Sequence, residues 1–205
     1  MPLKKEGAIL LLCISGLAVI ITLLILPEAL PEIGEEPLHV LTRLFALYGF
    51  LFVGVATLTT PFLREVTQAF GNSFLKVHHA FSILGFIFIT LHPISNAFQE
   101  ASLSVFLPSF DSWTSFWTLA GRPAFIIFYV ALFAAFLQRN APRYWRPFHA
   151  LMYLVLFFGI VHANFAGEDF QNLGITIIFD TLFILTMAGF TFKRCRNYQM
   201  KRNLP

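Results

Sequence analysis

Long runs without Asp, Glu, Lys or Arg divide this 205-residue chain into segments of similar length. Five runs are free of charge, and a sixth contains one carboxylate, Asp180; they cover residues 7–27, 44–63, 77–99, 123–138, 147–167 and 170–192. A helix needs about 20 mostly apolar residues to cross a bilayer, and no run alternates with the period of two that a strand requires. The fourth run is short, but Arg122 can extend its side chain to the interface.

These runs predict an all-α integral membrane protein with six transmembrane helices, near 7–27, 44–63, 77–97, 118–138, 147–167 and 172–192. The composition excludes a soluble globular domain, because 57% of the residues are hydrophobic and only 12% are charged. A soluble domain carries roughly a quarter charged residues. The same values exclude a disordered chain. We expect residues 1–205 to form a single membrane domain.

The basic residues orient the predicted helices. With the N-terminus inside, twelve of the 14 fall on the inner side, as the positive-inside rule requires. These twelve are Lys4, Lys5, Arg64, Lys76, Arg139, Arg143, Arg146, Lys193, Arg194, Arg196, Lys201 and Arg202. Only Arg43 and Arg122 lie outside, so both termini are predicted to be cytoplasmic. Basic residues sorted in this way form no groove for nucleic acid.

Five of the six histidines lie in only two predicted spans. His78, His79 and His92 lie in the third span, and His149 and His162 in the fifth. The sixth, His39, is predicted to be an interfacial residue among acidic neighbours. Ionisable side chains inside a membrane are costly and mark functional sites by default.

The spacing of these histidines predicts two pairs at two depths. At about 1.5 Å per residue, 78 to 92 and 149 to 162 each span roughly 20 Å. Facing helices would form an inner pair, His78 with His149, and an outer pair, His92 with His162. Two imidazoles from opposite helices suit a six-coordinate haem iron. A zinc or copper site would require three or four ligands that converge within a few ångströms. The wide separation of the histidines along each helix argues against such a site.

The angle around the helix places the two paired histidines of the third span on one face more readily than the two of the fifth span. His78 and His92 fall about 40° from a common face of an ideal helix, whereas His149 and His162 fall about 140° apart. The second spacing requires a tilt, a π-bulge or haems reached from different sides. His79 remains an alternative inner ligand, although the angle favours His78.

Some of the remaining charges also suggest roles. Haem propionates need cationic partners, and the inner candidates are Lys76, Arg143 and Arg146. On the outer side we expect Arg43 or Arg122 to pair with a propionate or with an acceptor. Asp180 is expected to be hydrogen-bonded to neighbours such as Thr176 or Thr181, or to belong to a proton or quinone site.

Two stretches resemble the ferric-reductase-like transmembrane domain family, which includes ferric reductases, NADPH oxidases and MsrQ-like membrane subunits. Residues 78–92 begin His-His-Ala-Phe-Ser-Ile-Leu-Gly and end Leu-His, like the family's first histidine pair. Residues 143–153 read Arg-Tyr-Trp-Arg-Pro-Phe-His-Ala-Leu-Met-Tyr, like its second, with His162 thirteen residues after His149. Gly121-Arg122-Pro123 is similar to an Arg-Pro of MsrQ-like proteins. The chain departs from the family at Ser82, where Gly is frequent, and from MsrQ-like proteins in having His at the inner position.

The resemblance implies b-type haems. Together with the spacing of the histidines it leads us to expect two haems, with His78, His92, His149 and His162 as iron ligands, and the distribution of charge adds Arg122 and Arg146 as further cofactor-binding residues. It also implies transmembrane electron transfer, as the membrane subunit of a reductase or oxidase in the plasma membrane of a prokaryote. No G-x-G-x-x-G follows a strand, so the expected donor is a separate flavoprotein or a quinol, and the acceptor lies at the outer face. The alternatives are a single-haem, quinol-linked subunit and a non-redox transporter or scaffold.

Overall fold

The computed structural model describes residues 4–202, and most of them are helical. The α-helices are α1 (Lys5–Ile33), α2 (Pro37–Leu58), α3 (Leu63–Phe70), α4 (Phe74–Gln99), α5 (Trp113–Thr118), α6 (Gly121–Phe136), α7 (Trp145–His149), α8 (Met152–Ala166) and α9 (Leu173–Arg202). Single 3-10 turns occur at Thr60–Phe62, Leu103–Phe106 and Glu168–Gln171. No strand forms within 4–202. The predicted all-α class is therefore confirmed.

Five helical segments are long and apolar enough to cross a membrane, by length and composition. They are Lys5–Ile33, Pro37–Phe70, Phe74–Gln99, Trp145–Ala166 and Leu173–Arg196. The fourth predicted span corresponds to a shorter apolar helix, Gly121–Phe136. It begins at 121 rather than 118 because α5 is a separate helix, whose first turn is capped by Ser112 accepting from the backbone N–H of Ser115.

Helix α2 forms the centre of the bundle and packs most closely on α4, which runs antiparallel to it. Two glycines allow this approach. A Cβ on Gly49 would lie 2.9 Å from the backbone N of Ile89, and a Cβ on Gly85 would lie 2.9 Å from the backbone N of Val53. The two backbones are therefore nearly in contact, which fixes the α4 histidines relative to α2.

Two apolar clusters fill the bundle. The larger one joins α1, α2 and α9 and includes the fully buried Ile21, Leu51 and Phe179. The smaller one joins α2, α6 and α8 through Val53, Phe128, Val155 and Leu156. Because Val155 and Leu156 lie midway between His149 and His162 in sequence, the smaller cluster separates the inner and outer histidine levels.

The fifth predicted span is divided by a tight turn. Helix α7 ends at His149, and α8 begins at Met152. Across the turn, Leu151 N–H donates to Phe148 O and Tyr153 N–H donates to Ala150 O, both at 3.1 Å. These i to i−3 bonds wind the chain more tightly than an α-helix does. The tighter turn adds rotation between His149 and His162 within the helical segment Trp145–Ala166, so the 140° offset of one uniform ideal helix does not apply.

Candidate functional site: two histidine pairs

The inner pair consists of His78 on α4 and His149 on α7. Their ring centroids are 6.3 Å apart and the ring planes are inclined by 81°. Nδ1 of His78 lies 3.1 Å from Ala56 O on α2, and Nδ1 of His149 lies 3.1 Å from Ala131 O on α6. The two imidazoles are thus anchored from opposite sides.

The outer pair consists of His92 on α4 and His162 on α8, which line one cavity. Nδ1 of His92 lies 3.1 Å from Thr42 O on α2. Nδ1 of His162 lies 2.7 Å from Thr118 O at the end of α5. The outer imidazoles are therefore anchored in the same way as the inner ones.

All four histidines share one hydrogen-bond pattern. A backbone carbonyl oxygen can only accept, so each Nδ1 carries the proton and donates it. Each Nε2 then keeps its lone pair. A ring held through Nδ1–H to a carbonyl, with Nε2 available, is the arrangement that metal-binding histidines adopt. The shared pattern favours a ligand role over packing.

The other two histidines are placed differently. His79 is exposed, with its ring centroid 6.1 Å from that of His78. It forms no bond to a carbonyl within residues 4–202 of the kind that anchors the four. His39 is half-buried near the start of α2, where its ring nitrogens are 3.2 Å from Glu32 and 3.5 Å from Glu168. The structure therefore distinguishes His78 from His79.

The outer cavity has a volume of about 490 Å³ and opens between α2, α4, α6, α8 and the turn that follows α8. This volume falls within the range of about 300–1,000 Å³ for ligand pockets. Many of the lining residues are small: Ala46, Gly121, Ala124, Gly159, Ala163, Ala166 and Gly167. Small residues on three helices, α2, α6 and α8, and in the turn after α8 leave space beside the two imidazoles.

A polar network lies behind His92. The Thr42 hydroxyl contacts Ser95 Oγ at 2.8 Å and receives a hydrogen bond from Gln99 Nε2 at 2.5 Å. Ser95 Oγ in turn donates to the carbonyl of His92 at 2.9 Å. The network joins α2 to α4 beside the carbonyl that accepts from His92. No local sequence pattern indicates Thr42, because its role depends on a contact between residues 53 apart.

The two outer arginines differ in their partners. Arg43 is 8% exposed and pairs with Asp169 at 2.6 Å, Glu32 at 2.9 Å and Glu28 at 3.4 Å. Carboxylates of the protein already compensate its charge. Arg122 instead donates to the carbonyls of Ser104 and Leu107 at 3.0 and 3.2 Å, and it lines the outer cavity.

The inner arginine of the predicted set, Arg146, is exposed, and its guanidinium lies 5.6 Å from the centre of the Trp145 ring. Ser82 also lies at the inner pair, with Oγ 3.4 Å from Nε2 of His78. The structure thus brings together the four predicted histidines as two pairs and places Arg122 at the outer cavity.

Comparison of the chain with protein-family models, curated proteins and solved structures finds no match.

Proposed function

We propose that this chain binds two b-type haems and carries electrons across a membrane, as the membrane subunit of a reductase or oxidase. The supporting observation is the shared anchoring of four histidines in two pairs, in which each Nδ1 donates to a backbone carbonyl and each Nε2 keeps its lone pair. Only Nε2 of His78 has a protein neighbour among the described hydrogen bonds, the Ser82 hydroxyl at 3.4 Å. The proposal includes six membrane crossings, with Gly121–Phe136 as the fourth, both termini in the cytoplasm, and the plasma membrane as the location.

The inner pair has a separation that suits two ligands of one iron. Metal–nitrogen bonds to imidazole are about 2.0–2.1 Å long, so two imidazoles that would bind one ion must have their ring centres only a few ångströms apart. The His78 and His149 centroids are 6.3 Å apart. Within residues 4–202 no group of three or more His, Cys, Asp or Glu side chains could hold a metal ion. Two protein ligands suit a metal whose remaining ligands come from a macrocycle.

In this proposal the chain supplies ligation, insulation and charge. A bound haem supplies a one-electron iron couple. His78 and His149 hold the inner group, and His92 and His162 hold the outer one. The smaller apolar cluster, which includes Phe128, keeps water out of the space between the inner and outer histidine pairs.

Arg122 is the proposed propionate partner at the outer cavity, because its charge has no carboxylate partner within residues 4–202. Arg43 is a weaker candidate, since Asp169 and Glu32 already bind its guanidinium. At the inner pair, Arg146 is the proposed propionate partner. The donor is a separate flavoprotein or a membrane quinol, and the acceptor lies at the outer face.

Haem content tests the proposal directly. The protein is produced with excess haem, and the absorption spectrum is recorded before and after dithionite together with the haem-to-protein ratio. We expect a Soret band that shifts on reduction and a ratio near two. Absence of the band would support a non-redox transporter or scaffold instead. A ratio of one would support a single-haem subunit and overturn the two-haem form.

Single histidine variants then test the assignment. His78→Ala and His149→Ala should each lose the inner haem, and His92→Ala and His162→Ala the outer one. His79→Ala is the matched control and should retain both. Loss of haem from His79→Ala with retention in His78→Ala would reverse the assignment of the inner ligand.

Proteoliposomes test whether the protein carries electrons across a bilayer. Ferricyanide is trapped inside proteoliposomes and dithionite is added outside, so that reduction requires electrons to cross the bilayer. The wild-type protein should reduce the trapped ferricyanide, whereas His92→Ala should behave like empty vesicles. Equal rates for both would contradict transmembrane transfer through the two levels.

A further inference from the structure

Asp180 on α9 is the single acidic residue in the apolar segment Leu173–Arg196. Its Oδ1 accepts a hydrogen bond from Asn164 Nδ2 of α8 at 3.1 Å. The expected neighbour Thr176 donates instead to Phe170 O. Within residues 4–202, Oδ2 of Asp180 has no donor, and no cation pairs with the carboxylate. The half-buried carboxylate thus lies beside the exposed Asn164 at the seam of α8 and α9.

The next residue, Thr181, carries a hydroxyl without a partner in the described part of the chain. Other threonines of α9 satisfy their hydroxyls locally, since Thr186 donates to Leu182 O at 2.8 Å and Thr191 to Met187 O at 2.9 Å. Thr181 is exposed and has no such bond. One free donor and one free acceptor therefore lie on adjacent residues of α9, about 100° apart around the helix, with Thr181 on the exposed face and Asp180 at the edge of that face next to α8.

This face also has the spacing of a packed helix. The exposed residues Ile177, Thr181, Ile184, Ala188 and Thr191 follow one another at intervals of four, three, four and three. That alternation is the repeat of helices packed in pairs. Small residues such as Thr and Ala are enriched where membrane helices approach closely. Ile177 and Ile184 are 56% and 62% exposed in the single chain.

A second copy of the same chain is the occupant that matches these groups. Two copies in one membrane have the same orientation, so their α9 helices pack in parallel with like residues opposite each other. In such packing each seam residue enters a hole formed by four residues of the facing helix. The hole for residue 181 includes residue 180 of the other copy. The Thr181 hydroxyl of each copy then reaches the unpartnered Asp180 oxygen of the other.

We propose that this face of α9 is the interface of a parallel homodimer, in which Thr181 of each copy donates a hydrogen bond to Asp180 of the second copy. The two bonds are related by the twofold axis, as an isologous interface requires. They satisfy polar groups that lipid cannot satisfy. The inference is independent of haem binding.

Cysteine cross-linking in proteoliposomes tests the interface. Cys13 and Cys195 are replaced by Ser, and Ile184→Cys is oxidised at a high lipid-to-protein ratio. We expect a disulfide-linked dimer. The matched control is Leu23→Cys on α1, which is 59% exposed and should remain monomeric. Equal cross-linking at both positions, or none at Ile184→Cys, would overturn the proposal.

Single-molecule photobleaching in bilayers then tests the hydrogen bond. Thr181→Val should weaken the dimer about tenfold, which is the effect of losing two modest membrane hydrogen bonds. Thr181→Ser keeps the hydroxyl and should dimerise like wild type. A wild-type chain that is monomeric at all densities, or Val and Ser variants that dimerise equally, would contradict the proposed contact. Haem content, measured in parallel, reports separately on the proposed function.

Discussion

A Cβ built on Gly121 would lie 2.6 Å from Cδ2 of His162. The first residue of α6 is therefore packed against the imidazole ring, and a residue without a side chain is needed there. The same ring donates from Nδ1 to Thr118 O, three residues earlier. The connection from α5 to α6 thus both anchors the ring and leaves room for it.

Gly121→Val is expected to remove the outer haem while leaving the inner one in place. The added side chain must displace His162, and overpacking of this kind costs about 1–3 kcal/mol. The ring would then lose its hydrogen bond to Thr118 O. The haem-to-protein ratio should fall from two to one.

The control for this variant is Gly16→Val on α1. A Cβ at Gly16 would meet no atom within 4 Å, so this substitution should leave both haems bound. A Gly121→Val protein that retained two haems would show that His162 is not an outer ligand in the observed orientation.

Thr42→Val is expected to lower the affinity for the outer haem by about tenfold or more, as is typical when a residue that supports a ligand is changed. The substitution keeps the carbonyl that accepts from His92. It removes the hydroxyl that joins Ser95 and Gln99. His92 should therefore become less firmly oriented. Haem loss to apomyoglobin measures the change.

Thr57→Val is the matched control, because Thr57 lies on the same helix, is 5% exposed, and donates only to Val53 O of its own helix. It should lose outer haem at the wild-type rate. Similar loss from both variants would indicate general destabilisation of α2 rather than loss of support for His92.

The features predictable from sequence were those that depend on residues close together in the chain. The apolar runs predicted where the long apolar helices lie, since each run reports its own length and charge. The histidine spacing placed His78 opposite His149 and His92 opposite His162, because helical rise converts spacing into depth. The pairing needed only the assumption that α4 and the α7–α8 segment face each other.

Other features depend on contacts that no local pattern records. The turn after His149 has no Gly or other strong signal within residues 150–151. The Arg43–Asp169 pair joins residues 126 apart, so the sequence could not show which outer arginine was already neutralised. The need for glycine at position 121 becomes evident only from the structure, in which His162 packs against it.

Gly85→Leu is expected to disrupt the contact between α2 and α4. A Cβ at this position would lie 2.6 Å from Val53 Cγ2 and 2.9 Å from the backbone N of Val53. The backbone atom cannot move aside as a side chain can, so the helices must separate. We expect aggregated protein in size-exclusion chromatography. Gly34→Leu, at a position with no neighbour within 4 Å, should elute like wild type, and a monodisperse Gly85→Leu would contradict the close approach.

Arg43→Met is expected to destabilise the protein by about 3–5 kcal/mol, because it leaves a buried carboxylate without its partner. Asp169, which is 5% exposed, receives hydrogen bonds from Nε and Nη2 of Arg43. In a chain of this size, the change corresponds to a melting temperature lower by roughly 10 °C. The double variant Arg43→Met/Asp169→Leu should recover much of the loss, since no unpaired charge remains buried. Arg122→Met is the matched outer control and should change stability by less than about 1 kcal/mol. Equal melting temperatures for Arg43→Met and Arg122→Met would show that the buried pair does not hold the turn after α8 against α2.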